Sequence, residues 1–316
     1  MFQITLQQVI IMLLLMVIGL VCSRVGFLHK QTITDLTNIL LYVVSPCLIL
    51  NAFQQDYSAE RMALLGKLFG VMGIIFVLNI LLAGLLFNKK TVPNVEERVV
   101  MKFGSAYTNA GFIGVPLAQA VNGQMGVFCA VPYLVLYNVF LWTHGITMFR
   151  NGKSSSARQN RGETLKKILL NPNILAAAAG ILFFACRVKF PALIGQTVSH
   201  VANLNTALSM IVIGSNLAAV DRKTIFSDRK VWVGTIIRNL IFPMLALLIL
   251  LIFRLDTVAA STTLIEASCP VAGVAVLFSL LNEYDTDFPT RLMCLSTILS
   301  VVTVPLMILI GTMLRI

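Results

Sequence analysis

The amino-acid sequence predicts an all-α integral membrane protein of ten transmembrane helices, and three observations predict it. The residues AVILMFWYC make up 58% of the 316 positions and charged residues 12%, where soluble domains run at about 45–50% and about 25%. The mean hydropathy is +0.88, more apolar surface than one soluble core absorbs, so the surplus faces lipid. Apolar stretches of about 20 residues, enough for a helix to span about 30 Å of hydrocarbon, recur ten times.

Their limits are 5–23, 33–54, 64–87, 99–121, 125–149, 169–187, 191–219, 231–253, 258–281 and 289–314. The first lacks a basic n-region and a small-residue cleavage site, which reads as a retained span and not a signal peptide. The second carries Asn51 behind YVVSPCLIL, placed either to contact a cavity or to cap a neighbour. The third contains Lys67 and no acidic residue. The fourth is interrupted by SAYTNAGFIGVP at 105–116. The fifth encloses His144, a packing residue on this reading. The seventh is the most polar, with Asn203, Asn205, Ser209 and Asn216. The eighth encloses Arg238, and the ninth is interrupted by EASCPVAG at 266–273. The six cysteines form no CxxC or Cys/His cluster, and the three histidines show no metal-ligand spacing. No disulfide framework, metal or cofactor is expected.

The net charge is +11. Lys and Arg sit in short links between apolar runs and not on one face, so they read as topology signals and not as a nucleic-acid surface. The links 1–2, 3–4, 5–6, 7–8 and 9–10 hold 17 of the 24, the opposite side 6, and Arg238 lies inside a span. The bias puts both termini outside the cytoplasm of a cell (inner) membrane. The segment RNGKSSSARQNRGETLKK is basic and Ser-rich without apolar periodicity, which predicts a flexible cytoplasmic linker over 150–168. It divides the chain into 1–149 and 169–316, five spans each. Five is odd, so the halves enter the membrane with opposite orientation, as in a 5+5 inverted-repeat transporter.

The two interruptions carry the candidate chemistry. Asn109, Gly111, Gly114 and Pro116 break the fourth span about 15 Å from its start at 1.5 Å per residue. Glu266, Ser268, Pro270 and Gly273 break the ninth at about 18 Å. Broken backbone is tolerated at membrane depth only where it is buried in protein or lines a cavity. Breaks at matching positions of two halves point to a transport site. A helix start exposes N–H groups that suit a carboxylate, and an Asn amide both donates and accepts. The competing reading is that Gly and Pro here serve close helix packing. Arg238 and Glu266 lie at similar depth, and charges there are costly. Either they form a structural ion pair, or Glu266 takes a proton or cation during transport.

With these residues in hand, the chain resembles the auxin efflux carrier family, including bacterial malate-permease-like members. Asn109-Ala-Gly-Phe-Ile-Gly-Val-Pro116 is similar to the family's Asn-x-Gly-Phe-x-Gly-x-Pro signature. Leu208-Ser-Met-Ile-Val-Ile-Gly214 with Leu217, Asn171-Pro-Asn173, and Arg238 with Pro243 are similar to its patterns in spans 7, 6 and 8. The resemblance implies crossed helices at spans 4 and 9, elevator-type movement against a scaffold of spans 1, 2, 6 and 7, a homodimer, and Asn109 as a carboxylate ligand. Plant members have an acidic residue in span 3 that is missing here, so their coupling chemistry does not carry over.

The reading is a secondary transporter of small organic anions, malate- or auxin-like carboxylates, coupled to protons or membrane potential. The alternative is a sodium-coupled symporter of the bile-acid transporter type. An intramembrane enzyme is a rival of another class; the absence of HExxH and of an intramembrane Asp pair argues against a protease, and the absence of a Walker motif against an ATP-driven pump.

Overall fold

The computed structural model describes residues 2–152, 162, 166, 168–218 and 225–314; most of the expected 150–168 linker lies outside them. Every regular element among the described residues is helical. In chain order they are α1 (Phe2–Val25), α2 (Lys30–Ala52), α3 (Ala59–Leu86), α4 (Val95–Ala106), α5 (Ala110–Arg150), α6 (Pro172–Ala185), α7 (Ala192–Ala218), α8 (Arg229–Phe253), α9 (Thr257–Ser268), α10 (Val274–Leu281) and α11 (Asp287–Met313).

Seven of these (α1, α2, α3, α5, α7, α8 and α11) are long and apolar enough to cross a membrane. Seven stands against the expected ten, and helix breaks and one short helix mark where the two counts part. The expected fourth span is α4 plus the start of α5, and the expected ninth is α9 plus α10, so each is split. The 41-residue α5 contains Gly123 at φ 63° and ψ −151°, a conformation essentially confined to glycine. It is therefore two helices meeting at a turn. The element in the expected sixth span, α6, has 14 residues, fewer than the roughly 20 a full crossing needs.

Helix starts are set by side-chain oxygens that accept otherwise orphaned N–H groups. Ser58 caps α3, Asn94 caps α4, Asn171 caps α6 with Pro172 following, Asp228 caps α8 and Asp256 caps α9. Three helices also widen into π-turns, at Leu40–Val44, Ala110–Gly114 and Ile237–Ile241. These three end two residues before a proline, Pro46, Pro116 and Pro243, and a fourth π-turn, Leu141–Gly145 in α5, does not. A proline has no N–H for the carbonyl four residues back and clashes with it, and a wider turn relieves the clash.

Contacts sort the loops into two groups. Lys230 meets Glu97 at 2.6 Å, Arg291 meets Asp228 at 3.5 Å, the Asp285 N–H donates to Glu96, and Tyr284 donates to the Phe149 carbonyl. These join the loops after α3, after α7 and after α10 to the end of α5. Lys189 meets Asp56 at 3.4 Å, and Gln55 donates to the Gln124 carbonyl. These join the loop after α2, the loop after α6 and the turn at Gly123.

The tightest helix contact runs along α1 and α7. Gly19 rests on the carbonyl of Ile211, and Gly214 rests on the carbonyl of Met16. A side chain at either glycine would strike backbone. Small residues that admit a close backbone approach are how helices associate in lipid. Away from such contacts Leu14, Ile18, Leu85 and Ile252 are at least half exposed, an apolar surface suited to hydrocarbon. Gly214→Val therefore lowers unfolding stability in detergent by about 3 kcal/mol, the upper range for overpacking. Gly70→Ala, where nothing lies within 4 Å of the added Cβ, leaves it unchanged or raises it by about 0.5–1 kcal/mol. Equal losses in both variants contradict this packing account.

Candidate functional site

Two helix breaks meet inside the protein. The first is Tyr107-Thr108-Asn109, between α4 and α5, and the second runs from Cys269 to Gly273, between α9 and α10. Cys269 is extended at φ −61° and ψ 149°, as the residue before a proline tends to be. The segments pair antiparallel at Thr108 and Val271, the isolated bridge among the described residues. The Asn109 N–H donates to the Pro270 carbonyl at 2.8 Å, and the Ala272 N–H donates to the Tyr107 carbonyl at 3.2 Å. Each break thus supplies the backbone partner that the other has lost.

The breaks leave four helix ends near one point. The C-termini of α4 and α9 carry negative partial charge, and the N-termini of α5 and α10 positive. Arg238, fully buried on α8, answers the negative ends. Its guanidinium donates to the Ser105 carbonyl at 2.8 Å, to the Cys269 carbonyl at 3.1 Å and to the Ala267 carbonyl. One side chain therefore clamps both first half-helices, using the fixed fork of donors that distinguishes Arg from Lys.

Of the two readings of Arg238 and Glu266, the ion pair is not formed. Arg238 takes carbonyls, and neither oxygen of Glu266 has a hydrogen-bond partner although the residue is wholly buried. The reason is geometric: three unpaired carbonyls converge on the guanidinium. Glu266 instead lies against Gly114, where a Cβ would collide with its carboxylate. That contact requires glycine at 114. At Gly111 an added Cβ would meet Leu134 at 3.9 Å, an ordinary contact, so packing does not demand glycine there.

The other sequence candidates fall out as follows. Asn109 precedes the π-turn that opens α5, and its carbonyl accepts from Ile113 at 3.0 Å. Pro116 sits in the first α-helical turn after that π-turn. Ser268 is buried with no partner for its hydroxyl. Asn51 lies in the last turn of α2, half-buried, and among the described residues no side-chain hydrogen bond ties it to the crossing.

Sequence reasoning missed a second brace. Asn239 follows Arg238 in the π-turn Ile237–Ile241, and both are buried. Its amide donates to the Ser296 carbonyl at 2.9 Å, the Ser296 hydroxyl donates to the Asn239 Oδ1 at 2.7 Å, and that hydroxyl accepts the Val271 N–H at 3.0 Å. The signal was the polar Arg-Asn pair in the apolar run IIRNLIF. Thr108 and Tyr133 are joined by a hydroxyl contact of 3.1 Å. Asn122 of α5 donates to Ser261 and Thr262 of α9, both at 3.0 Å.

The profile of a protein family described as membrane transport protein matches residues 4–308. An uncharacterized transporter from Methanothermobacter thermautotrophicus is 22% identical over 303 residues, covering 95% of this chain and 96% of its own. An uncharacterized transporter from Methanocaldococcus jannaschii is 22% identical over 310 residues, covering 96% and 97%.

Arg238→Met strips a charged donor from three buried carbonyls. At about 1–3 kcal/mol for each group left unpaired, it costs at least about 3 kcal/mol, read by denaturant unfolding in detergent. Ser296→Ala leaves two groups without a partner, the Val271 N–H and the Asn239 Oδ1, and costs at least about 2 kcal/mol. The brace assignment does not survive if Arg238→Met unfolds no earlier than Ser296→Ala.

Proposed function

The chain belongs to the membrane transport protein family, the auxin efflux carrier family of the sequence resemblance, and on that premise we propose a secondary transporter of small organic anions working around the crossing. It is a multi-pass membrane transporter; the substrate class and mechanism are the proposal. One observation carries the anion reading. Arg238 is bound to the carbonyl ends of α4 and α9, which leaves the amide ends of α5 and α10 uncancelled beside Asn109. These helix ends contribute positive partial charge there. The first N–H groups of a helix lack intrahelical partners and suit an anion. The Asn109 amide and the first turn of α5 would hold the carboxylate, with Gly114 and Pro116 shaping that turn. Ser268 and Pro270 would bound the site from the second break. Asn51 would approach it from the scaffold.

The wider architecture is proposed with it: ten spans as a 5+5 inverted repeat, 1–149 and 169–316, with the linker in the cytoplasm and both termini outside. The two loop groups support it, because loops alternating along the chain fall in alternate groups. In the elevator reading α1, α2, α6 and α7 form the scaffold of a homodimer, and the crossing moves as a unit. The braces from Arg238, Asn239, Ser296 and Asn122 support a unit that holds its shape. Glu266, without a counter-charge, would be the group that takes up the coupling ion, here a proton.

Counterflow into proteoliposomes with dicarboxylates, monocarboxylates and indole acids tests the reading. Flux in Asn109→Ala falls about 10- to 100-fold, the worth of one or two hydrogen bonds to a charged group. Glu266→Gln keeps exchange but loses its response to an imposed pH gradient. Full flux in Asn109→Ala for every substrate found removes the site assignment. Drive by a sodium gradient alone favours the sodium-coupled alternative.

A further inference from the structure

We propose that a small cavity beside the crossing, between α3, α4 and the second half of α5, is an accessory site for a small monoanion, of the size of acetate, bicarbonate or chloride. The cavity has a volume of about 110 Å³, and Ile80, Gly84, Lys102, Ala106 and His144 are among its walls. Its polar side chains are both nitrogen bases, and no acidic residue lines it. Three other cations are paired, Lys230 with Glu97, Arg291 with Asp228 and Lys189 with Asp56. Lys102 has no ion pair among the described residues.

The hydrogen bonds around Tyr107 determine what His144 offers. The Tyr107 hydroxyl lies 2.9 Å from the Phe140 carbonyl and 3.0 Å from Nδ1 of His144. A phenol has one hydrogen and a carbonyl only accepts, so that hydrogen goes to Phe140. The hydroxyl must then accept from Nδ1–H. This fixes the tautomer and leaves Nε2 for the cavity, an acceptor when the ring is neutral and a donor when it is protonated. With a proton on Nε2, the cavity presents two cationic donors. The other titratable groups facing the ring are Lys102 of α4, Tyr107 of the break and, across Tyr107, Tyr137 of α5. The α3 wall, Ile80, Ala83 and Gly84, contributes none.

Proton and anion therefore bind together. The volume suits an anion of about four heavy atoms, each water-sized group claiming up to about 30 Å³, and excludes a dicarboxylate or an aromatic acid. Ala106 is the last residue of α4, and the Tyr107 carbonyl accepts from Ala272 across the crossing, so occupancy reaches the candidate transport site through one residue. That role rests on the transport reading; binding does not. Sequence reasoning took His144 as packing, because its hydroxyl partner and the open wall at Gly84 are tertiary features.

The test is ring ¹⁵N spectroscopy of the full chain in detergent, labelled at its three histidines and assigned with His144→Gln. Sodium acetate, bicarbonate and chloride are titrated separately near pH 6, with succinate as the size control. The His144 signal should report the Nδ1–H tautomer at high pH and shift saturably with at least one small monoanion but not with succinate. Saturation by acetate alone identifies a carboxylate ligand, and saturation by chloride or bicarbonate an inorganic one. Apparent affinity should fall at least tenfold in Lys102→Met. It should fall equally in Gly84→Leu, which fills space where nothing lies within 4 Å of an added Cβ and leaves every charge in place. The shift should persist in Asn109→Ala, so loss of flux in that variant and loss of the accessory site are separate results. An Nε2–H tautomer, no saturable shift with any probe, or a shift indifferent to both Lys102→Met and Gly84→Leu overturns the proposal.

Discussion

Two helices broken deep in an apolar protein leave carbonyl and amide groups that cannot reach water, and each would cost several kcal/mol unpaired in hydrocarbon. Arg238 meets the carbonyl part of that deficit. Its three acceptors come from the last turn of α4, the last turn of α9 and the start of the second break, so a single guanidinium fixes their mutual position. The antiparallel bridge at Thr108 and Val271 pairs most of what remains. Asn239 and Ser296 then take the Val271 amide, which points the other way. The crossing is held by donors and acceptors counted almost one for one, and the neighbouring helices are placed to supply them.

The balance is uneven in a useful direction. Carbonyl ends are neutralised by a full positive charge on a side chain that cannot lose it, whereas the amide ends at α5 and α10 have no negative side chain bonded to them among the described residues. What is left at the crossing is positive character next to an Asn that both donates and accepts. On the proposed function, such a site would recognise negative charge by preorganised backbone, not by a mobile lysine. Its shape does not depend on side-chain rotamers and can be carried intact on a moving unit.

The positions of both breaks were legible because glycine and proline in an apolar run are local signals: the helices part at 107–109, inside the interruption 105–116, and at 269–273, inside 266–273. The helix starts at Ser58, Asn94, Asn171, Asp228 and Asp256 follow from the same local chemistry. The partners were not legible. That Arg238 would prefer three carbonyls to the carboxylate of Glu266 depends on the register of α8 against two other helices. The π-turn that turns both Arg238 and Asn239 inward is set two residues ahead of Pro243, and no period of 3.6 anticipates it. Gly111 and Gly114 look alike in the motif, yet only Gly114 has a carboxylate against its Cα. The turn at Gly123 falls between the expected limits 121 and 125, but nothing local marks its glycine-only backbone.

Glu266 completes the argument about charge. It lies one residue before Ala267, whose carbonyl Arg238 binds, yet its own oxygens are bonded to nothing. If its role were to balance Arg238, its carboxylate would have taken the place of a carbonyl. That it has not done so means that Arg238 is already satisfied by dipoles. An acid that the structure does not use for stability, pressed against the one glycine that admits it and adjoining the turn that starts α5, is placed to exchange its proton with the state of that turn. On the proposed function this joins the two halves of a coupled carrier: the amides of α5 meet the substrate, and the acid behind the same turn meets the ion.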